Sequence, residues 1–220
     1  VLVTPLLSLV MPVASAISLS LPLLLIADPF ALWFYWRTWD NRLIRLMLPA
    51  AVFGVVMGTF LLANLPDDVL RRILGVFTLV FIAYRIISDR LKTLSYRPQN
   101  WHGYLAGWAS GLGSALANTG APPFTAYLLL QEIEPRAFVG TTTLFFAIVN
   151  LLKLPGLIIA DLMDFNQVLM FWWVVPIIPL AVWLGRRLID RINQKRFEQF
   201  MLAVLFVAAL VLLFVTPPDA

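Results

Sequence analysis

The chain has 220 residues, 61% of them hydrophobic and only 13% charged, with a formal net charge of +4, one histidine and no cysteine. Soluble domains are about half apolar and a quarter charged, so this sequence is built for lipid, and a soluble enzyme or binding module is excluded. With no cysteine and His102 alone, disulfides, thiolate sites and His-based metal centres have no ligands.

In chain order, residues 1–11 read as the tail of an apolar segment whose beginning lies before Val1. Residues 12–36 form the first full span. It closes on Trp33, Phe34, Tyr35 and Trp36, with Trp39 just beyond, an aromatic belt of the kind that sits at a membrane interface. Asp28, followed by Pro29, is the only carboxylate well inside a span. It reads either as a proton-coupling group or as a cap at a helix break. Spans 43–65 and 70–88 come next, each within the roughly 17 to 25 residues that cross a bilayer. The stretch 103–130 is interrupted at its middle by ANTGAPP, residues 117–123, where Asn, Gly and two Pro remove helix donors and favour a turn. Its Gly103, Gly107 and Gly111 recur every fourth residue, a surface on which another backbone can approach closely. Spans 137–160, 168–185 and 197–215 complete the set.

The broken stretch either crosses the membrane with a kink or enters, turns and leaves on the side it came from. If it crosses, the basic residues divide almost evenly between the two sides. If it turns back, every span after it flips: thirteen basic residues then share one side, Arg71 and Arg72 stand alone on the other, and Lys153 lies inside a span. Only the second division obeys the positive-inside rule. It puts loops 37–45, 85–102, 131–136 and 186–196 in the cytoplasm. Basic residues in such short loops set orientation, so no nucleic-acid partner is expected.

An internal repeat agrees. VMPVASA from Val10 resembles IEPRAFV from Ile133, and the pair Pro49 and Gly58 recurs as Pro176 and Gly185. The expected fold is an all-α polytopic membrane protein of two inverted repeats, each a Gly/Pro-broken re-entrant hairpin plus three transmembrane helices, with the N-terminal hairpin partly missing. An odd number of crossings per unit inverts one copy against the other, a symmetry common in alternating-access transporters. Residues 1–88 form the first repeat, truncated at its N-terminus, 89–102 a cytoplasmic linker and 103–220 the second repeat.

The stretch GLGSALANTGAPPFTAYLL from Gly111, with PRAFVGTTT after it, resembles the second Gly-rich hairpin of the sulfite exporter TauE/SafE family, also called the 4-toluene sulfonate uptake permease family. The family pattern there runs G-x-x-G-x-G-G-P-P-x-x-x-Y-L-L, then a loop and A-x-G-T. VLVTPLL at the start is similar to the family's segment just after the first hairpin's tip. Asn118, Thr119 and Ala121 stand where the family often has Gly. The resemblance implies a transporter of sulfite, sulfonates or related small anions in the bacterial inner membrane. It calls for no cofactor; oligomeric state stays open.

A turn at ANTGAPP near mid-membrane would start a short helix at about Pro122, its amino end facing the membrane centre with unpaired N–H groups and about half a positive charge. Asn118, Thr119, Gly120, Ala121 and Pro122 are the expected substrate-binding residues, or else simply cap a turn. Ser110, Ser114 and Asn118, four apart, share a helix face leading to the tip. Thr141, with Thr142 and Thr143 beside it, begins the next span, and one or two of the three are expected to face the tip. Lys153, the one basic residue deep in a span, is either a counter-charge for the substrate or a side chain that snorkels to the interface. Asp28 is the candidate for coupling to a proton or cation. An enzyme would need clustered His, Asp, Glu or Cys at depth. The remaining alternatives are a non-transporting membrane subunit and a transporter of another small organic anion.

Overall fold

The computed structural model describes residues 3–91, 99–131, 133–163 and 194–214, with the isolated positions 173 and 177. The described chain is helical throughout: α1 (Val3–Leu7), α2 (Val13–Phe34), α3 (Asn41–Asn64), α4 (Asp67–Leu91), α5 (Asn100–Ala117), α6 (Ala121–Leu129), α7 (Pro135–Ile159) and α8 (Gln194–Phe214). By length and composition, α2, α3 and α7 are apolar enough to cross a membrane. Apart from positions 173 and 177, the predicted span 168–185 lies outside the described residues, as do 92–98, 132 and 186–193 of the predicted loops.

Helix ends are set by local chemistry. The Asp40 carboxylate accepts from the backbone N–H of Arg42 at 2.8 Å and of Leu43 at 3.4 Å, which caps α3. Helix α4 continues to Leu91 and α5 begins at Asn100, so His102 lies in a first helical turn rather than in the loop expected for it. Its Nδ1 accepts from the Gln99 N–H at 3.1 Å. Pro22, Pro29, Pro49 and Pro155 all lie inside long helices, which membrane helices tolerate because neighbouring groups re-satisfy the freed carbonyls.

Helices α3 and α5 make the closest contact. A methyl group on Gly107 would strike the carbonyl of Met47, one on Gly111 that of Ala51, and one on Gly54 that of Trp108. The small residues let two backbones touch, which is how helices associate where lipid removes the hydrophobic driving force. Gly103 beside Leu46 and Gly58 beside Ala115 make the two helices parallel. Helix α7 runs the same way, because Gly140 meets Thr38 and Trp39 just before α3, whereas Gly156 meets Thr59 near its end. Between α5 and α7, α6 lies back along α5, and its Tyr127 ring reaches to 3.0 Å from where a Gly103 side chain would begin.

Two apolar clusters flank the break between α5 and α6. One gathers Ile17, Leu21, Leu62, Leu116, Ala117 and Leu157. The other holds Met47, Ala51, Phe124, Tyr127, Phe145 and Val149. Phe124 stacks on Phe145 with ring centroids 4.2 Å apart and meets Phe146 edge-on at 5.4 Å, which fixes α6 against α7. At the start of α4, Arg71 is buried and bonds Asp67 at 2.6 Å, while Asp67 also accepts from the Val13 N–H at 2.8 Å. This ties the start of α2 to α4.

Candidate functional site

The break after Ala117 is made by Asn118, which takes the left-handed conformation (φ 51°, ψ 28°). Asn is among the few residues that tolerate it. The Asn118 N–H donates to the Ser114 carbonyl and the Thr119 N–H to that of Gly113, both at 3.1 Å, which closes α5 with a left-handed cap. Gly120 is not the left-handed residue, since its φ is −73°. It is needed for closeness: a side chain there would strike the Ser110 carbonyl and come within 3.0 Å of the Phe146 ring and of Ser114 Cβ. Pro122 and Pro123 in the first turn of α6 carry no N–H, which leaves Gly120 and Ala121 as the backbone donors at this helix end.

Lys153 comes to this break from α7. Only 1% of its surface is exposed. Its Nζ donates to Asn118 Oδ1 at 2.6 Å and to the Ser114 carbonyl at 3.3 Å. The snorkelling geometry is therefore not adopted: the side chain turns inward, because a buried ammonium needs acceptors and the end of α5 supplies two. Asn118 in turn donates from Nδ2 to Thr4 Oγ1 at 3.0 Å, which joins the start of α1 to the tip of α5. One turn before Lys153, Asn150 donates to Asp28 Oδ2 at 2.9 Å.

Ser110 and Thr119 are buried, and neither hydroxyl has a hydrogen-bond partner; the same is true of Ser8 in the turn after α1. Buried polar atoms are nearly always paired. Two of these, Ser110 and Thr119, lie at the break itself, since Gly120 packs on the Ser110 carbonyl and Thr119 follows Asn118, and unpartnered hydroxyls there are what a site for a polar ligand leaves open. A cavity of about 570 Å3 opens beside Pro29, Leu32, Trp33 and Trp36 in the last turns of α2, rather than at the tip.

The structure thus brings Ser114, Asn118, Thr119, Gly120, Ala121, Pro122 and Lys153 together, with Asp28 one link away through Asn150. Thr141 is elsewhere. Its hydroxyl accepts from the Asp40 N–H at 2.8 Å, and the twelve residues to Lys153 on the same helix span about 18 Å. Thr142 and Thr143 bond back to the carbonyls of Phe138 and Val139. Sequence reasoning missed Thr4 and Asn150. Asn150 carried a signal, a polar residue on the Lys153 face of an apolar span; Thr4 carried none beyond its place in VLVTPLL.

Comparison with curated proteins and with solved structures gives no match. The family model described as Sulfite exporter TauE/SafE matches residues 1–212. With a helical membrane architecture, a broken helix at the quoted motif and a match over nearly its full length, the chain belongs to the TauE/SafE family of sulfite exporters.

Proposed function

We propose that this protein is a secondary transporter of small sulfur-containing anions such as sulfite or organosulfonates, which it binds where the α5–α6 break meets Lys153. The observation that carries this reading is a fully buried ammonium bonded to the residue that ends a broken helix. A charge at that depth is expensive and is retained where it meets an ion or substrate. Non-helical backbone at membrane depth is tolerated only inside protein or beside a wet cavity.

The mechanism is alternating access between two inverted repeats around a fixed site. Two features support it. Helices α5 and α7 both run parallel to α3, which suits a hairpin that turns back. Helices α2 and α7 run antiparallel, with Asp28 of α2 at Asn150 and the start of α2 in one apolar cluster with Leu157, as an inverted pair would. Ligand entry would break the Lys153 to Asn118 bond and give the ammonium to the anion. Asp28, linked to the same face of α7, is the candidate for carrying a coupled proton. The inner membrane, with the Arg-rich loops inside, is the location this reading requires.

The experiment is flux into proteoliposomes holding the purified full chain, loaded on one side with sulfite or methanesulfonate. Saturable transport that Lys153→Gln abolishes is expected. No flux above protein-free vesicles would end the proposal.

A further inference from the structure

The charges at the α5–α6 break limit the kind of anion that can be held there. Among the described residues two cationic side chains are buried, Lys153 and Arg71. Arg71 is already neutralised by Asp67 at 2.6 Å. That leaves one free unit of positive charge, on Lys153, and its ammonium has three N–H donors. Two are engaged by Asn118 and the Ser114 carbonyl, and one remains. The other unengaged donors at the tip are neutral: the hydroxyls of Ser110 and Thr119, both at least nine-tenths buried and without partners. Neutral hydroxyls orient oxygen atoms but compensate no net charge.

Resting on the transport reading above, we infer that this site selects anions carrying a single negative charge, alkanesulfonates and hydrogensulfite, against dianions such as sulfate and fully ionised sulfite. Two further contributions decide the sign. The amino end of α6 adds about half a positive charge, which brings the cationic complement to between one and two units. Asp28 is held by Asn150, one turn from Lys153 on the same helix; when ionised it subtracts a full unit, and when protonated it subtracts nothing, so in neither state does it help a dianion. Desolvation then weighs on the same side, because the Born cost of entering a low-dielectric site rises with the square of the charge. A dianion loses about four times the hydration of a monoanion of equal size and meets, among the described residues, no second unpaired buried cation in return.

The test uses two sulfur oxyanions whose charge does not change with pH over the range a protein tolerates: methanesulfonate, always singly charged, and sulfate, always doubly charged. Binding of each to the purified full chain in lipid nanodiscs is measured by calorimetry at matched ionic strength. Methanesulfonate is expected to bind at least about tenfold more tightly than sulfate, with that binding lost in Lys153→Gln and kept in Lys153→Arg, which also shows that a positive charge rather than the fold is at stake. Sulfate binding as tightly as methanesulfonate, with both lost in Lys153→Gln, would overturn the charge selection and leave the site in place. Methanesulfonate binding that is absent in the parent, or that Lys153→Gln leaves unchanged, would overturn the site reading and this inference with it.

Discussion

The Nζ of Lys153 lies 2.6 Å from Oδ1 of Asn118, so the deepest cation of one helix is bonded to the left-handed residue that breaks another. Each half of this contact satisfies a need of the other. The ammonium lacks water, and the chain end at Asn118 exposes acceptors that a continuous helix would have used internally. On the proposed transport reading this contact is the substrate-free state, with Asn118 and the Ser114 carbonyl holding the charge until an anion replaces them.

Replacing Lys153 by Met should separate stability from function. A buried charged group held by neutral acceptors is often no more stabilising than a well-packed apolar side chain. Lys153→Met is therefore expected to melt within a few degrees of the parent, or above it, by thermal shift in detergent. Anion affinity should fall by at least roughly ten- to a hundredfold, the worth of a hydrogen bond to a charged group, about 1.5 to 3 kcal/mol, and by more as the compensating charge is also lost. Unchanged affinity with lowered stability would make Lys153 a structural residue.

Asn118 has two roles that two substitutions divide. Asn118→Gly keeps the left-handed turn, because glycine adopts it without strain, but removes the amide that holds Lys153 and Thr4. Asn118→Ala removes the amide and adds about 1 to 2 kcal/mol of backbone strain. Both should weaken anion binding to a similar degree, and only Asn118→Ala should also lower the melting temperature. Equal affinities for parent and Asn118→Gly would show that the amide does not touch the ligand pathway.

Asp28→Asn should uncouple rather than abolish transport. If Asp28 carries the coupled proton, the amide variant no longer accumulates anion against a gradient when a pH difference is imposed across proteoliposomes, yet still exchanges labelled for unlabelled anion at equilibrium. Gradient-driven accumulation that survives the substitution would remove Asp28 from coupling.

The α3–α5 contact should be intolerant of any side chain. Gly107→Val and Gly111→Val each drive carbon into a backbone carbonyl of α3, and backbone cannot give way as a flexible side chain can. A loss of about 3 kcal/mol or more is expected, at or beyond the upper end of ordinary overpacking, read as aggregation on size-exclusion chromatography. Normal elution of both variants would mean that the two helices are not in backbone contact.

Topology can be read by labelling single cysteines, for which the parent supplies a cysteine-free background. Cysteines at Gln99 and Gln131 should react from the same side of oriented vesicles, and one at Asn64 from the other. Reaction of Gln99 and Gln131 from opposite faces would show that α5 and α6 together cross the bilayer, and the inverted arrangement would fall.

Much of this protein was legible without coordinates because its constraints are local. An apolar run too long for a soluble helix names its solvent, Asn-Thr-Gly-Ala-Pro-Pro cannot continue a helix, and glycines four apart mark a face with no side chains to hold a neighbour away. Those arguments located the break, the tip residues and the packing face, and the motif named the family. They could not choose between the two fates of Lys153, since a lysine near a helix end reaches the interface or turns inward according to which acceptors lie within reach, and the acceptors belong to residues 35 and 39 positions away in the chain. Nor could they see that Thr141 is taken by the Asp40 backbone, or that Thr4 and Asn150 join the network. Each depends on which helix faces which, a matter decided by backbone contact between α3 and α5 and by aromatic packing of α6 on α7. Only the tertiary structure brings those surfaces together.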